Sequence, residues 1–284
     1  LLLTGLAVAF AFRAKFWNIG AEGQLLAGAL AATVLGVHLG SISPVLVLPT
    51  IIIGGFLAGG LWASIPALLK TKLKVDDVVS TLLLNYVMIH IMGALLFGPL
   101  QQPGSSWPRS SAIIEAAQYP ILMPRSRFHM GIIISFVAML IIWFINKKTT
   151  FGYQAKAVGT NIRAAHFGGI NTTSVILWTA LVSGGLAGLA GVGELCALQY
   201  RLIMDISPGY GYSGIVIAML GNLHPAGVLF SSLFFSVIIV GAQTMSRMTG
   251  VPTYIAEVIQ GMALMVMLIF LLFTEYKLRW VRRK

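Results

Sequence analysis

Charge is what this sequence most lacks, acidic charge above all: 8 Asp and Glu stand against 19 Lys and Arg in 284 residues, and charged residues are 10% of the chain. A soluble domain carries about 25% charged and roughly 45–50% apolar residues. Here 57% are hydrophobic and the mean hydropathy is +0.89, which excludes a soluble globular protein. Cysteine is scarcer still. Cys196 alone rules out an internal disulfide, and its apolar surroundings suit a small core residue. No segment reads GxxxxGK[ST], so the chain has no phosphate-binding loop and cannot hydrolyse ATP alone. HExxH and Cys/His clusters are also missing, so metal catalysis has no support.

What is present are long apolar runs, about 1–12, 21–38, 44–69, 78–97, 130–146, 174–197, 213–222, 226–244 and 257–273. Several approach or exceed the ~20 residues needed to cross a bilayer. None alternates with period two, and backbone in lipid must satisfy its own polar groups, so the runs are expected as helices rather than barrel strands. The expectation is an all-α polytopic transmembrane bundle of about nine to ten helices, one membrane domain over 1–284. The sequence opens at Leu1 inside an apolar stretch, without the charged first region of a signal peptide, so more helix is expected ahead of it.

The formal charge of +11 follows from basic residues in the short segments between runs, where the positive-inside effect places them. It does not argue for nucleic acid. Arg13 and Lys15, then Lys70, Lys72 and Lys74, then Lys147, Lys148, Lys156 and Arg163, and finally Lys277, Arg279, Arg282, Arg283 and Lys284 mark the cytoplasmic side. The Pro- and Ser-rich loop 98–129 then faces outward as an ordered cap. Arg109, Arg125 and Arg127 run against this, but an inward loop would turn the denser Lys147/Lys148 pair outward. Segment 213–222 covers only about 15 Å of a ~30 Å core, yet a crossing there is needed to bring the basic C-terminus inside. The two agree if 200–212, with Pro208, Gly209 and Gly211, enters the membrane as irregular backbone. Such broken passages are tolerated where they line a cavity or are buried in protein, which points to a transport path.

Polar residues within the runs are candidates for that path. Asp77, Thr81 and Asn85 recur every fourth residue and share a helix face, beside Tyr86. Asn85 is read as path lining or as an interhelical hydrogen-bonder, and Asp77 as a carboxylate at a helix start. WNIGAEGQ at 17–24 sets Asn18, Glu22 and Gln24 among glycines at the start of a helix. Asn18 is expected to cap it, and the same groups suit a neutral polyhydroxyl ligand. Ala180, Gly184 and Gly188, with Ser183, Ala187 and Gly191 on the adjoining stripe, are small residues spaced for close packing, and Glu194 reads as a hydrated helix end in preference to a coupling carboxylate. GYSG at 211–214 resembles the serine motif of rhomboid proteases, but His224 would lie roughly 16 Å along the helix from Ser213, beyond dyad reach. Residues 154–167, QAKAVGTNIRAAHF, place Ala155, Val158, Ile162 and Ala165 on one face of a short helix ended by Gly168 and Gly169. That helix either lies on the membrane surface or sits in a groove of a partner.

Several of these strings carry a family resemblance: NIGAEGQ at 18–24, VDDVVSTLLLNYV at 75–87, GPLQQPGSSWPRSS at 98–111, AVGTNIRAAHFGGIN at 157–171 and GYSGIVIAMLGNLHPAG at 211–227. They resemble, in order and over nearly the whole chain, the permease subunits of bacterial ABC importers, in the nucleoside and simple-sugar branch of the branched-chain amino acid/ribose-type family. The resemblance implies a multi-pass permease of the bacterial inner or plasma membrane. Its partners would be a cytoplasmic ABC ATPase, a second, related permease subunit and an extracytoplasmic substrate-binding lipoprotein. The substrate path would draw on Asn18, Glu22, Gln24, Asn85, Tyr86 and Ser213. Coupling to the ATPase would fall in the loop 147–173, on Val158, Gly159, Asn161, Ala164, Ala165, Gly169 and Ile170. An ion-coupled secondary transporter of a small polar solute is the alternative, but it usually needs intramembrane ionisable groups, and the apolar cores here are nearly free of them.

Overall fold

The computed structural model describes residues 1–41, 43–123, 126 and 128–249, with isolated positions between 254 and 269. The described residues form α1 (Leu2–Arg13), α2 (Ala21–His38), α3 (Pro44–Leu73), α4 (Asp77–Leu96), α5 (Met130–Lys148), α6 (Thr150–Thr160), α7 (Ile162–Phe167), α8 (Thr172–Glu194), α9 (Tyr210–Leu220) and α10 (Pro225–Thr249). Each apolar run up to residue 244 is a helix. The run 257–273 and the basic cluster 277–284, like Arg125 and Arg127, fall outside what can be described beyond isolated positions.

Among the described residues five helices are long and apolar enough to cross a bilayer: α3, α4, α5, α10 and α8, which continues through a π-helical turn, Leu195–Gln199. α9 has 11 residues, about 16 Å of rise, and it is entered from irregular backbone over 200–209 that ends on Gly209 at φ 84°. The irregular entry expected over 200–212 is therefore present but shorter, over 200–209, and Gly211 lies inside α9. α1 is equally short, at 12 residues, and almost wholly buried.

Packing centres on α8. A Cβ added to Gly28 of α2 would run into the Gly188 backbone, one on Gly59 of α3 into the Gly184 carbonyl, and one on Gly191 into the Leu25 carbonyl. Helical glycine costs about 0.5–1 kcal/mol relative to alanine. Here the missing side chains let three helices touch backbone to backbone, so the Gly184/Gly188 stripe is a packing surface.

At one end of the bundle residues 110–119 of the 98–129 loop lie against the chain after α8. Ser110 and Tyr119 N–H groups donate to the carbonyls of Leu202 (2.9 Å) and Cys196 (2.8 Å), and Ile113 N–H to Tyr200 (2.9 Å). Cys196 is buried there. His129 closes this loop and accepts from Gly131 N–H at the start of α5 (3.2 Å). Burial lowers its pKa, which favours the neutral ring that an acceptor needs.

At the other end, Gly159 of α6 packs on the carbonyl of Arg13, and Lys70 Nζ donates to the Lys15 carbonyl (2.7 Å). The expected single helix over 154–167 is two. Asn161 takes an extended conformation (φ −155°, ψ 108°) between α6 and α7, and its Oδ1 accepts from Arg163 and Ala164 N–H at 3.0 and 3.1 Å. Asparagine competes with helix by such local bonds, a preference the apolar spacing hides. Gly168 then ends α7, with Gly169 at φ 80°.

Candidate functional site

The chain leaves α1 at Arg13, turns at Lys15 (φ 51°) and crosses 16–20 without helical bonds before α2 begins. Buried backbone of this kind needs partners, and α4 supplies them. Trp17 N–H donates to Asp77 Oδ2 (2.6 Å), Ile19 N–H to Thr81 Oγ1 (3.2 Å) and Gly23 N–H to Asn85 Oδ1 (2.8 Å). Four helical residues rise about 6 Å, and two residues of open backbone span at most about 7 Å. The spacing of Asp77 and Thr81 thus matches the N–H groups of Trp17 and Ile19 in the irregular segment, and Asn85, one turn further along α4, meets Gly23 N–H in the first turn of α2. Asn85 is fully buried. Its Nδ2 also donates to the Ile19 carbonyl (3.0 Å) and the Tyr212 hydroxyl (3.2 Å). Asp77 lies in the first turn of α4 and pairs with Lys70, while Asp76 caps that helix through Val79 N–H (3.0 Å).

Asn18 and Gln24 form a reciprocal amide pair, each Nδ2 or Nε2 donating to the other's oxygen at 2.8 Å. Asn18 Nδ2 also donates to Ser183 Oγ (2.9 Å), which donates onward to the Ala7 carbonyl (2.7 Å). The cap position of α2 is Gly20, with no side-chain cap bond. Asn18 is not that cap, because its Oδ1, although it accepts from Gly20 N–H (3.0 Å), is drawn inward by Gln24.

Glu22 joins this seam to the broken passage. Its Oε2 accepts from Gly211 N–H at 2.7 Å, and the carboxylate is bonded also by the Ser207 side chain and Gly209 backbone. Gly211 lies so close to Ala21 and Glu22 that a Cβ would meet their backbone. The first turns of α2 and α9 therefore meet, both positive dipole ends, with the carboxylate between them. Ser213 lies one turn on, buried, its Oγ donating to the Gly209 carbonyl (3.1 Å). His224 sits beyond the far end of α9 and accepts from Ala226 N–H (3.3 Å).

The structure thus gathers Asn18, Glu22, Gln24, Asn85 and Ser213 around the meeting of α2, α4 and α9. Tyr86, beside them on α4 and near Tyr212, is 53% exposed. Two members escape sequence reasoning. Tyr212 hides beside the GYSG serine, and Ser183 sits in a stripe read for its size. Glu194 closes α8 beside a cavity of about 470 Å³ shared with Gln199, Tyr200, Tyr210 and Gln243. In the 147–173 loop, Val158, Gly159 and Ala165 are buried, while Asn161, Ala164 and Gly169 are exposed and Ile170 is half-buried. Val158 and Ala165 join the chain's own core. Ile162, expected on the same apolar face, is exposed because the break at Asn161 rotates α7 out of register with α6.

A family model described as branched-chain amino acid transport system, permease component, matches residues 1–269. The glucose ABC transporter permease protein of Haloferax volcanii is 34% identical over 98% of this chain and 75% of its own length. The guanosine ABC transporter permease protein of Bacillus subtilis is 34% identical, covering 100% of this chain and 80% of its own. A nucleoside ABC transporter permease protein of Lactococcus lactis is 31% identical over 91% and 73%. No solved structure matches the chain significantly.

Proposed function

We propose a role for this chain from one premise: it belongs to the permease-component family of branched-chain amino acid transport systems, and with its five long apolar helices it is a multi-pass membrane protein. Its role is that of the permease subunit of an ATP-driven ABC importer, forming the translocation path for nucleosides or related simple sugars. The observation that carries this reading is the alignment, along nearly the whole chain, with permeases named for guanosine, nucleosides and glucose. The polar seam supports it. Apart from Glu22, the groups at the α2–α4–α9 meeting are uncharged donors and acceptors beside the Tyr212 ring, a chemistry suited to a neutral, hydroxyl-bearing solute. Asn18, Glu22, Gln24, Asn85 and Ser213 flank the path in this reading, with Tyr86 beside them.

ATP hydrolysis then belongs to a separate cytoplasmic ABC ATPase. A second permease subunit and an extracytoplasmic substrate-binding lipoprotein complete the importer. The ends carrying Arg13, Lys15, Lys70, Lys72, Lys147, Lys148, Lys156 and Arg163 face the cytoplasm, and the 98–129 cap faces outward. Within 147–173 the ATPase meets the exposed side of α6 and α7, at Asn161, Ala164 and Phe167, the last 96% exposed. Val158, Gly159 and Ala165 hold that surface to the membrane core from behind.

Uptake of a panel of radiolabelled nucleosides and glucose, in cells with and without the gene, tests the reading. Gene-dependent uptake of at least one of them is expected. A panel with no gene-dependent member would overturn the substrate class.

A further inference from the structure

We propose that a groove between the cytoplasmic ends of α3 and α8 holds the headgroup of one anionic phospholipid of the inner leaflet, with an acyl chain running up its apolar wall. The groove has a volume of about 690 Å³. At one end it presents Lys72, from the last turn of α3, together with Thr173 and Ser174 from the first turn of α8. Toward the middle of both helices its walls become Leu68, Leu177, Trp178 and Leu181. No acidic residue lines it.

The polar end has donors to spare. Among the described residues the Lys72 ammonium has no ion pair or hydrogen bond, and the Thr173 and Ser174 hydroxyls have no partner. Lys70, half a turn away, contrasts with it: its ammonium is spent on Asp77 and the Lys15 carbonyl. Lys70 therefore has a structural role within the chain, and Lys72 has none. An unpaired cation beside two unpaired hydroxyls suits a phosphodiester, which offers one negative charge and several acceptor oxygens.

The apolar end distinguishes a lipid from a small anion. Leu68 and Trp178 are 45% and 56% exposed, and they continue the groove along the direction of the helices, where a free phosphate would leave them uncovered. Trp178 lies little more than one turn from the basic end, at the level where tryptophan favours the membrane interface. None of the residues of the polar seam lines the groove, so the site is separate from the path proposed for the solute. It rests on the orientation given by the basic residues. Anionic lipid is the occupant that matches both ends, since the cytoplasmic leaflet supplies it and basic pockets between membrane helices on that side bind such headgroups.

The test uses the full permease chain with its partner subunits, purified and placed in nanodiscs of mixed phosphatidylglycerol and phosphatidylcholine, with retained lipid read by native mass spectrometry. Phosphatidylglycerol is expected to be retained over phosphatidylcholine, and Lys72→Gln to lower that preference about fivefold, the effect of one basic contact near a membrane surface. Lys148→Gln, which removes a basic residue outside the groove, should leave it unchanged, and co-purification of the partners reports that each variant is assembled. Equal retention of the two lipids, or equal loss in both variants, would overturn the proposal. Displacement of the lipid by glycerol 3-phosphate would reduce the site to its polar end and overturn it as a lipid site. Shielding of Trp178→Cys from a lipophilic maleimide only while the partner subunits are bound would put protein in the groove instead.

Discussion

Replacing Asn85 with leucine, of nearly equal volume, isolates the function of the α4 ladder. The amide of Asn85 serves two backbone groups, Gly23 N–H in the first turn of α2 at 2.8 Å and the Ile19 carbonyl of the irregular segment at 3.0 Å, besides the Tyr212 hydroxyl at 3.2 Å. Leucine keeps the packing and strands both backbone groups in a site closed to water. Each buried group left unsatisfied costs about 1–3 kcal/mol, so the variant should lose on the order of 2–6 kcal/mol. For a chain of this size that corresponds to a fall in Tm on the order of 5–20 °C. Tyr212→Phe removes one hydroxyl that merely accepts from Asn85, and should cost only about 0.5–1.5 kcal/mol. Thermal unfolding of both variants in detergent, followed by tryptophan fluorescence, makes the comparison. An Asn85→Leu protein melting within about a degree of the parent, or below Tyr212→Phe in its effect, would refute the ladder, and Asn85 would then act on passage alone.

Gly28→Ala should destabilise by about 1–3 kcal/mol through overpacking against Gly188, whereas Gly193→Ala, whose Cβ meets nothing within 4 Å, should be neutral or stabilise by up to ~1 kcal/mol; denaturation midpoints of the pair decide. Phe167→Asp should melt like the parent, being almost fully exposed, yet fail to retain the ATPase on co-purification, while Ala165→Glu, buried in the chain's own core, should lose stability first; full ATPase retention in Phe167→Asp would remove α7 from the docking surface. A single cysteine at position 105 in a Cys196→Ser background should react with an impermeant maleimide in intact cells, and labelling only after permeabilisation would invert the orientation.

The helices were legible because their cause is compositional: apolar runs in a chain poor in charge have few other solutions in lipid. The broken entry to α9 was legible for the same reason, since Pro208, Gly209 and Gly211 precede a run too short to span. The role of the Asp77, Thr81 and Asn85 stripe was legible only as a shared face. Its partners are backbone groups some sixty residues earlier in the chain, and backbone leaves no signature in side-chain spacing. Asn161 shows the opposite failure. The apolar period of Ala155, Val158, Ile162 and Ala165 reads through it, while the local bonds of its side chain to Arg163 and Ala164 divide the helix in two. Ala165 was readable as buried, but the expected cover was the membrane surface or an ATPase groove, whereas it packs into this chain's own core. Tyr212 was masked by the serine beside it, which drew attention as a possible nucleophile.

Transport by the reconstituted assembly tests the central claim most directly. The full chain would be placed in proteoliposomes with its ATPase, partner permease and binding protein, and accumulation of labelled guanosine, other nucleosides and glucose measured with and without ATP on the ATPase side. The account predicts ATP-dependent accumulation of a nucleoside or simple sugar that persists when proton and sodium gradients are collapsed. Accumulation driven by an ion gradient without ATP, and abolished by an ionophore, would contradict it and identify a secondary transporter instead.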